Sequence, residues 1–281
     1  MMESRRNFIS KLFKVTTSIL FSGYVISRSD SHSSTYYAKK YNYCDVSIRE
    51  NCNESLNVPI AHGIDLSASH KEFLWKNPIR DGDQARNVAM ITYDDWGDDE
   101  QLSTILDSYR KHEQSKATFF FLGSQLASCA KWIERLAADG HLIGCHGWDH
   151  VRMDSLSTKE IDQSFGQFTH TLRTIIPGYQ LHYFRMPYGG CRDKNRNCEI
   201  CKIAADWGLQ HVYWSFFTDG RKPVVRKIVM NNLQKGSIIL CHMNYQYDIQ
   251  NTDWLLTYLE RRGFSAETVE TGLSKKHYWG I

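Results

Sequence analysis

The stretch NVAMITYDDWGDDEQLSTILDSYRKHEQSKATFFFLG, residues 87–123, decides the fold class. It begins with the apolar run Asn87–Tyr93, which is typical of a buried strand, and it ends with a second such run closed by Gly123. Between the two runs, apolar residues recur at helical spacing, at Leu102, Ile105, Leu106 and Tyr109. The stretch therefore predicts a strand, a helix and a second, parallel strand in succession.

The rest of the chain repeats this alternation. Helices are predicted at CAKWIERLAADG, STKEIDQSFGQFTHTLRTII and TDWLLTYLERRG, and Ser157 and Glu160 fit a capping box at the start of the second helix. Strands are predicted at HLIGC, HYFRM, HVYWSFF and GSIILCH. The alternation predicts an α/β protein with a parallel sheet, either open or closed into a barrel. In both architectures the chemistry belongs at the carboxyl ends of the strands.

Length, composition and charge narrow the class of protein. With 281 residues, 42% of them hydrophobic and 23% charged, the chain can bury a large core. The formal net charge of +3 is small and the pI is about 8.3, and Lys and Arg are scattered along the chain. A nucleic-acid surface would show a basic patch or a higher pI, so no nucleic-acid partner is expected.

The N-terminus is typical of an export signal. A basic start, Ser4–Phe13, precedes the apolar stretch Val15–Ile26, which is too short to span a bilayer comfortably. The Ser-Arg-Arg-x-Phe order resembles the bacterial twin-arginine signal. We predict an export signal over residues 1–30 and a periplasmic or extracellular protein with no stable membrane span after signal removal; an uncleaved anchor and a cytosolic helix are the alternatives. The polar residues 31–85 are predicted to be an extended lead-in.

The chain has eight cysteines, an even number that suits an oxidising compartment. Cys44 and Cys52 could close a loop within the lead-in. In CRDKNRNCEIC, the pair Cys198 and Cys201 could be half of a zinc site, but a second, similarly spaced pair is absent from the sequence. A local disulfide or free thiols are therefore favoured over zinc.

Reactive side chains follow four separate predicted strands: Asp94, Asp95, His146, His150, Arg185 and His242. Taken singly, each has an ordinary structural explanation. An Asp at a strand end is often a helix cap, the two histidines of HGWDH could be a chance surface pair, Arg185 a surface cation and His242 a core histidine. Taken together, one Asp, two His and a water make a catalytic zinc site with an open position. The second Asp is then left as a base within reach of that water.

In the order TYDDWG, HGWDH, RMPYGG, WSFFTDG and IILCH, the sequence resembles the polysaccharide deacetylases, carbohydrate esterase family 4, with the NodB-homology domain. KATFFFLGSQL and AADGHLIGCH also look like segments of this family. The resemblance covers about residues 86–272, and we assign residues 86–281 to the catalytic domain. It implies a distorted (β/α) barrel and metal-dependent removal of acetyl groups, commonly from N-acetylglucosamine polymers.

The resemblance also implies a role for each matching residue. Asp95, His146 and His150 would bind Zn²⁺, with Co²⁺ or another divalent metal as alternatives. Asp94 would be the general base, and Arg185 would pair with it and keep it ionised. His242 would donate a proton to the leaving amine. The oxyanion would be held by the metal and by the backbone N–H of Tyr188. The pocket for the acetylated polysaccharide would include Trp214, Leu240 and Asp219.

Three departures from the family pattern stand out. Trp96 follows the Asp pair where the family usually has Gly, and Gly147 follows the first His where the family usually has Ser or Thr. The fourth motif keeps Asp219 as its only acidic match, with Phe216 and Gly220 in place of the others. We therefore expect the tuning of His242 and the sugar platform to differ from the usual family pattern.

Three other functions share these motifs. An esterase of the same family could remove O-acetyl groups from acetylated xylan. A catalytically weak carbohydrate-binding protein could keep the metal site, and an amide hydrolase of another substrate class could use the same barrel. The presence of both Asp94 and His242 favours an active enzyme.

Overall fold

The computed structural model describes residues 66–191 and 198–273, and within them the chain alternates strands and helices. The strands are β1 Val88–Asp95, β2 Ala117–Phe121, β3 Leu142–Cys145, β4 Tyr183–Phe184, β5 Gln210–His211, β6 Phe216–Phe217, β7 Ser237–His242 and β8 Ser265–Ala266. The helices are α1 Ala68–Lys76, α2 Asp99–Lys111, α3 Ala130–Ala138, α4 Thr158–Ile175, α5 Glu199–Asp206, α6 Val225–Asn232, α7 Gln246–Gln250, α8 Thr252–Arg261 and α9 Val269–Gly272. Single 3₁₀ turns lie at Gly123–Gln125, Met153–Ser155 and Pro187–Gly189.

The unit β1–α2–β2 has the arrangement that its sequence predicts. Helix α2 begins with a reciprocal capping box between Asp98 and Gln101, and the predicted box between Ser157 and Glu160 opens α4. The four apolar positions predicted for the inner face of α2 are all buried: Leu102, Ile105, Leu106 and Tyr109. Strands β1 and β2 pair in parallel. Local capping and periodicity therefore suffice to define this unit.

The strands form one all-parallel sheet in the order β5-β4-β3-β2-β1-β7-β6, with β8 paired to the start of β1. Seven strands laid flat would span about 29 Å. However, β5 and β6 lie at opposite ends of this row and are joined only by residues 212–215. Five Cα steps reach at most about 18 Å, so the row must curl. The fold is the distorted (β/α) barrel that the sequence resemblance predicts.

Strand β1 is buried along its whole length because it is covered on both faces. Ile91 and Tyr93 join the core between the sheet and the helices, whereas Met90 joins a smaller cluster with Phe120 and Ile238. The second cluster lies inside the barrel, on the side to which Asp94 also points, because alternate strand residues face the same side. Burial on both faces explains why the strand sequence is continuously apolar.

Of the predicted extended lead-in over residues 31–85, the structure describes residues 66–85, and these include a helix. Helix α1, which is capped by Ser67, packs against α5, and Lys71 forms a 2.9 Å ion pair with Asp206. Ile79 is fully buried and bridges to Val212 beside β5. The sequence prediction was wrong here because a nine-residue helix of low amphipathicity gives little periodic signal. The predicted export signal and Cys44 and Cys52 lie outside the described residues.

Two further sequence predictions, a strand and a local disulfide, can be compared with the structure. The single strand predicted at HVYWSFF is divided into β5 and β6, because the residues between them cross from one end of the sheet to the other. The predicted local disulfide is present between Cys191 and Cys198, and Cys201 is a free, buried thiol. Among the described residues, none of the helices combines the length and apolar composition needed to cross a membrane.

Candidate active site

The parallel sheet brings the reactive side chains of separate sequence motifs to one end of the barrel. Asp94 lies directly opposite His242 in the pairing of β1 with β7. His146 follows β3 and Arg185 follows β4, and these two strands are neighbours. All four side chains are found where the strands end, which is the edge at which α/β folds carry their chemistry.

One carboxylate and two imidazoles form a cluster suited to a metal ion. Ligand atoms of Asp95, His146 and His150 all lie within 4.8 Å of one another. Oδ1 of Asp95 is 3.5 Å from Nε2 of His146 and 3.2 Å from Nε2 of His150. That oxygen is buried and has no hydrogen-bond partner, and burial raises the pKa of Asp95. A buried carboxylate oxygen facing two ring nitrogens fits a divalent cation such as Zn²⁺.

The ring of His146 is oriented by the backbone of a neighbouring loop. Its Nδ1 lies 2.9 Å from the carbonyl oxygen of Arg185, to which a protonated Nδ1 donates. Nε2 is then the unprotonated nitrogen that faces Asp95. Burial lowers the pKa of His146 to about 3, which keeps the ring neutral, as a metal ligand must be.

The backbone is strained at three of the candidate residues. Asp95, His150 and Tyr188 have φ angles of 78°, 58° and 62°, in the left-handed region that non-glycine residues rarely adopt. Residues held in this region cost of order 1 kcal/mol or more and cluster at functional sites. The strain turns the carboxylate of Asp95 and the ring of His150 towards the same point.

Backbone hydrogen bonds hold the HGWDH loop in place. The N–H groups of Gly123 and Ser124 donate to the carbonyls of Gly147 and Trp148, at 2.9 and 2.8 Å. The ring of Trp148 lies where a side chain at Gly123 would be, only 2.3 Å from the position of an added Cβ. Gly147 has φ 78°, so the Ser or Thr expected there from the family pattern would be strained.

Arg185 and Asp94 form a buried ion pair inside the barrel. Nη1 of Arg185 donates to Oδ1 of Asp94 at 2.7 Å and to the hydroxyl of Thr92 at 2.8 Å. Its other donors reach the carbonyls of Val212 and Tyr213, at 3.1 and 2.9 Å. The guanidinium is fully buried, yet each of its three nitrogens has an acceptor, which is what keeps a buried cation in place. The sequence prediction that these two residues pair is in accord with this geometry.

The ring of His242 packs against two aromatic rings. Tyr245 stacks on it with ring centroids 4.0 Å apart, and Phe217 meets it edge-on at 5.5 Å. Nδ1 of His242 is buried without a hydrogen bond and lies 3.9 Å from Oδ2 of Asp248. Burial lowers the pKa of His242 to about 4, although the charge of Asp94 raises it.

The remaining candidate residues lie around this centre. Tyr188 is 62% exposed at the rim, with its ring 4.7 Å from that of His150. Leu240 is buried on the same side of β7 as His242, and the ring of Trp214 lies 5.7 Å from the guanidinium of Arg185. Asp219 instead forms a 2.7 Å ion pair with Lys222.

Sequence reasoning missed three residues that touch this site: Asn244, Tyr245 and Asp248. A hydrogen bond from the side chain of Asn244 lowers the pKa of Asp95, against the effect of burial. Asp248 accepts a hydrogen bond from the backbone of His242 at 2.9 Å. All three lie within six residues after His242, and the segment NYQYD carries no spacing that would single them out.

Comparisons with known proteins place this chain beside a family of known reaction class. The sequence profile of the family "Polysaccharide deacetylase" matches residues 81–212, which include Asp94 and all three residues of the candidate metal cluster. The chain is 28% identical over 186 residues to the peptidoglycan-N-acetylglucosamine deacetylase PgdA of Listeria monocytogenes, covering 64% of this chain and 37% of that protein. It is 30% identical over 187 residues to the peptidoglycan-N-acetylmuramic acid deacetylase PdaC of Bacillus subtilis, covering 66% and 39%.

A solved structure of a carbohydrate esterase family 4 pseudoenzyme from Bacillus anthracis superimposes with a TM-score of 0.64 at 25% identity, covering 71% of this chain and 70% of that one. The chain thus belongs to the polysaccharide deacetylase family, carbohydrate esterase family 4. It spans less than two fifths of the length of the two curated relatives.

Proposed function

We propose that the protein is a metal-dependent polysaccharide deacetylase. It hydrolyses N-acetyl groups of N-acetylglucosamine-containing glycans, such as peptidoglycan, chitin-like polymers or exopolysaccharide, to a free amine and acetate. The observation that carries this proposal is the cluster of Asp95, His146 and His150 beside an Asp94 that is paired with a buried arginine. The named deacetylases among its relatives support the reaction class.

Asp95, His146 and His150 would hold the metal, for which Zn²⁺ suits the one-carboxylate, two-imidazole donor set and Co²⁺ is an alternative. A divalent cation bound there polarises the acetyl carbonyl and acidifies the attacking water.

Asp94 is proposed to act as the general base. Its Oδ1 is engaged by Arg185 at 2.7 Å, and its Oδ2 lies 3.7 Å from Nε2 of His146, on the side of the candidate metal cluster. The two oxygens are thus differentiated: one is fixed by the guanidinium and the other is turned to where water would be activated. Arg185 fixes the orientation of the base and balances its charge.

The loop after β4 is proposed to receive the oxyanion. The backbone N–H of Tyr188 would donate to it, and the left-handed conformation at this residue sets the direction of the peptide groups on either side. Leu240 and Trp214 would contact the acetyl methyl group, and Asp219 lies near enough to Tyr245 to influence its pKa at the outer rim.

His242 is proposed to protonate the leaving amine. His242 lies opposite Asp94 in the pairing of β1 with β7. Asp94 can therefore take a proton from water while His242 gives one to the amine nitrogen. In the balanced reaction, the C–N bond breaks while Nε2 of His242 gives its proton to the departing amine nitrogen. The presence of the base, the acid and all three metal ligands supports an active enzyme over a carbohydrate-binding protein.

The predicted export signal over residues 1–30 would deliver residues 86–281, the proposed catalytic domain, to the periplasm or cell exterior, where acetylated polysaccharides lie. The helical residues 68–76 would travel as part of that domain because they pack on α5.

The test is acetate release by the purified chain from chitooligosaccharides, peptidoglycan and acetylated xylan, with chelator and then with zinc restored. We expect release from the N-acetylated glycans that stops with chelator and returns with zinc. Release from acetylated xylan alone would replace the proposal with an O-acetyl esterase. No release from any polymer by zinc-loaded protein would contradict an enzymatic role on these substrates.

A further inference from the structure

The carboxylate of Asp248 occupies the space that a side chain at Gly220 would fill. A Cβ added to Gly220 would lie 2.1 Å from Cγ of Asp248 and 2.2 and 2.3 Å from its two carboxylate oxygens. These are the three atoms nearest to that position, so Asp248 alone fills the site. Gly220 belongs to the fourth motif and directly follows its one acidic match, Asp219. The absence of a side chain at position 220 therefore leaves room for a carboxylate from a later segment of the chain.

The backbone around Asp248 ties the two segments together. The N–H of Tyr247 donates to the carbonyl of Gly220 at 2.9 Å, which fixes the start of α7 against the fourth motif. Oδ1 of Asp248 accepts from the hydroxyl of Thr218 at 2.6 Å, and Oδ2 accepts from the N–H of His242 at 2.9 Å. Asp248 is almost fully buried, so these contacts hold its carboxylate in a single orientation.

The chemistry of His242 requires an acceptor at this point. The ring of His242 must be an imidazolium before it can give a proton to an amine and become neutral. An imidazolium has an N–H at both nitrogens. Nδ1 is buried and has no hydrogen-bond partner, so its N–H would be left unsatisfied without an acceptor. Oδ2 of Asp248 lies 3.9 Å from Nδ1 of His242, which is close enough for an ion pair with the protonated ring.

Other charges around His242 do not supply this acceptor. The charge of Asp94 raises the pKa of His242, whereas those of His146, Arg185 and Arg221 lower it. Asp94 is itself committed to Arg185. Burial raises the pKa of Asp248 to about 7, and its hydrogen bonds from Thr218 and His242 act in the opposite direction by stabilising the carboxylate.

We propose that Asp248 is the positioning residue for His242, and that Gly220 leaves the space that the carboxylate of Asp248 needs. It holds the Nδ1–H of the imidazolium and so directs Nε2 at the leaving amine. This inference rests on the proposed deacetylase function, since it assigns a partner to the general acid of that reaction.

The activity test compares Asp248→Asn and Asp248→Ala with the exchanged double variant Gly220→Asp/Asp248→Ala. We expect either single variant to lower kcat about 10- to 100-fold with KM changed less than about twofold, since the lost contact acts on proton transfer rather than binding. The double variant should recover most of the lost kcat, because the new side chain enters the space that Asp248 vacated. Gly220→Asp alone should be destabilised, because two side chains would then compete for one space.

Asp253→Asn is the matched control, because Asp253 lies on the neighbouring helix α8, is 48% exposed and pairs with Lys111. It should leave kcat unchanged. Unaltered kcat in Asp248→Ala would overturn the proposal, as would a folded double variant no more active than Asp248→Ala. Asp248→Asn, which keeps the shape of the side chain, separates a positioning effect from a loss of folding measured by thermal melting.

A second readout does not depend on turnover. In zinc-loaded protein labelled with ¹⁵N-histidine, the ring signals of His242 are assigned by their loss in His242→Gln. Asp248→Asn should move the Nδ1 signal of His242 and leave the other histidines in place. If this shift occurs but the wild-type protein releases no acetate, the proposed function fails and the pairing stands. If acetate is released and the signal does not move, the pairing is wrong.

Discussion

At the scale of single residues, Arg185 and Asp94 show how the site keeps two neighbouring carboxylates buried. Asp94 is neutralised by a guanidinium inside the barrel, and Asp95 turns away from it through a backbone angle of 78° to face two imidazoles. Adjacent like charges would otherwise destabilise each other in a buried site. The two carboxylates therefore have different cationic partners. Asp94 pairs with the guanidinium of Arg185, whereas the partner of Asp95 would be a bound metal ion.

Replacing Asp94 with Asn should abolish turnover without removing the metal. The amide keeps the size of the side chain and can still accept a hydrogen bond from Arg185, but it is no longer a base, so kcat should fall about 10²- to 10⁴-fold. Zinc content, measured by atomic absorption on the folded protein, should stay equal to that of wild type. Asp107→Asn, on the exposed face of α2, is the control and should match wild type in both measurements. Wild-type turnover in Asp94→Asn would remove it from the role of base.

Replacing His146 with Ala should lose metal and activity together. The ring is buried and supplies one of three donors, so its removal leaves too few ligands to hold zinc at micromolar concentrations. The measurement is zinc content by the same method, with acetate release in parallel. Because Asp94→Asn should keep its zinc, comparison of the two variants distinguishes a lost ligand from a general loss of structure. Full zinc and full activity in His146→Ala would mean that the metal binds elsewhere.

Individual site residues could be predicted from the sequence wherever a motif ends a strand. Asp94, His146 and His242 were found in this way, because parallel strands deliver their carboxyl ends to one edge. The sequence could not predict Asp248 in this way, because its contact with His242 depends on the turn between β7 and α7 rather than on the order of the strands. The positive φ angles of His150 and Tyr188 also have no sequence signature, since neither residue is glycine.

At the scale of elements, prediction succeeded for long elements and failed for short ones. β1 and α2 were predicted nearly to their ends, because eight and thirteen residues give clear apolar patterns. β4, β5 and β6 have two residues each, which is too short for a period to be recognised. The split of HVYWSFF arises from the curl of the whole sheet, which pulls Val212 and Ser215 towards opposite edges. That cause lies outside the segment itself.

The junction between α3 and β3 should make stability fall in mild acid. Nδ1 of His141 accepts the N–H of Ala117 at 3.1 Å, and burial lowers the pKa of His141 to about 4 from 6.5. Above pH 6.5 the ring is neutral in both folded and unfolded chains and has no effect. As the pH falls from 6.5 to 4, the unfolded chain binds the proton first, so folding loses up to about 3 kcal/mol.

The measurement is the free energy of unfolding in urea at several pH values for wild type and His141→Asn. The Asn oxygen can accept the same N–H without titrating, so its stability curve should be flatter between pH 4 and 6.5. Parallel curves for the two proteins would show that His141 is not the source of the pH dependence.

At the scale of the whole molecule, the structure extends the folded unit towards the N-terminus. Leu74 and Ile79 are 2% and 0% exposed, and the N–H groups of Gly82 and Asp83 donate to the carbonyls of Gly236 and Gly272. The segment before β1 thus packs against parts of the chain that come much later in sequence. The sequence alone suggested a boundary at residue 86 because the apolar alternation begins there.

A chain beginning at residue 86 should be much less stable than one beginning at residue 66. Removing the buried side chains of Leu74 and Ile79 exposes the surfaces that they cover, at a cost of about 3–6 kcal/mol. Chemical denaturation of the two proteins, followed by tryptophan fluorescence, measures the difference. Equal stability would mean that α1 and the residues after it are accessory to the barrel.

The position of β1 between β2 and β7 has a consequence for how the protein comes to fold. The hydroxyl of Thr92 on β1 donates to the carbonyl of Ile239 on β7, 147 positions later in the chain. While the chain is being synthesised, one edge of this apolar strand stays unpaired until β7 has been made, and such an edge is prone to aggregation. A topology dominated by pairings this distant folds slowly, so this edge of β1 stays exposed until the last strands have been made and have paired with it.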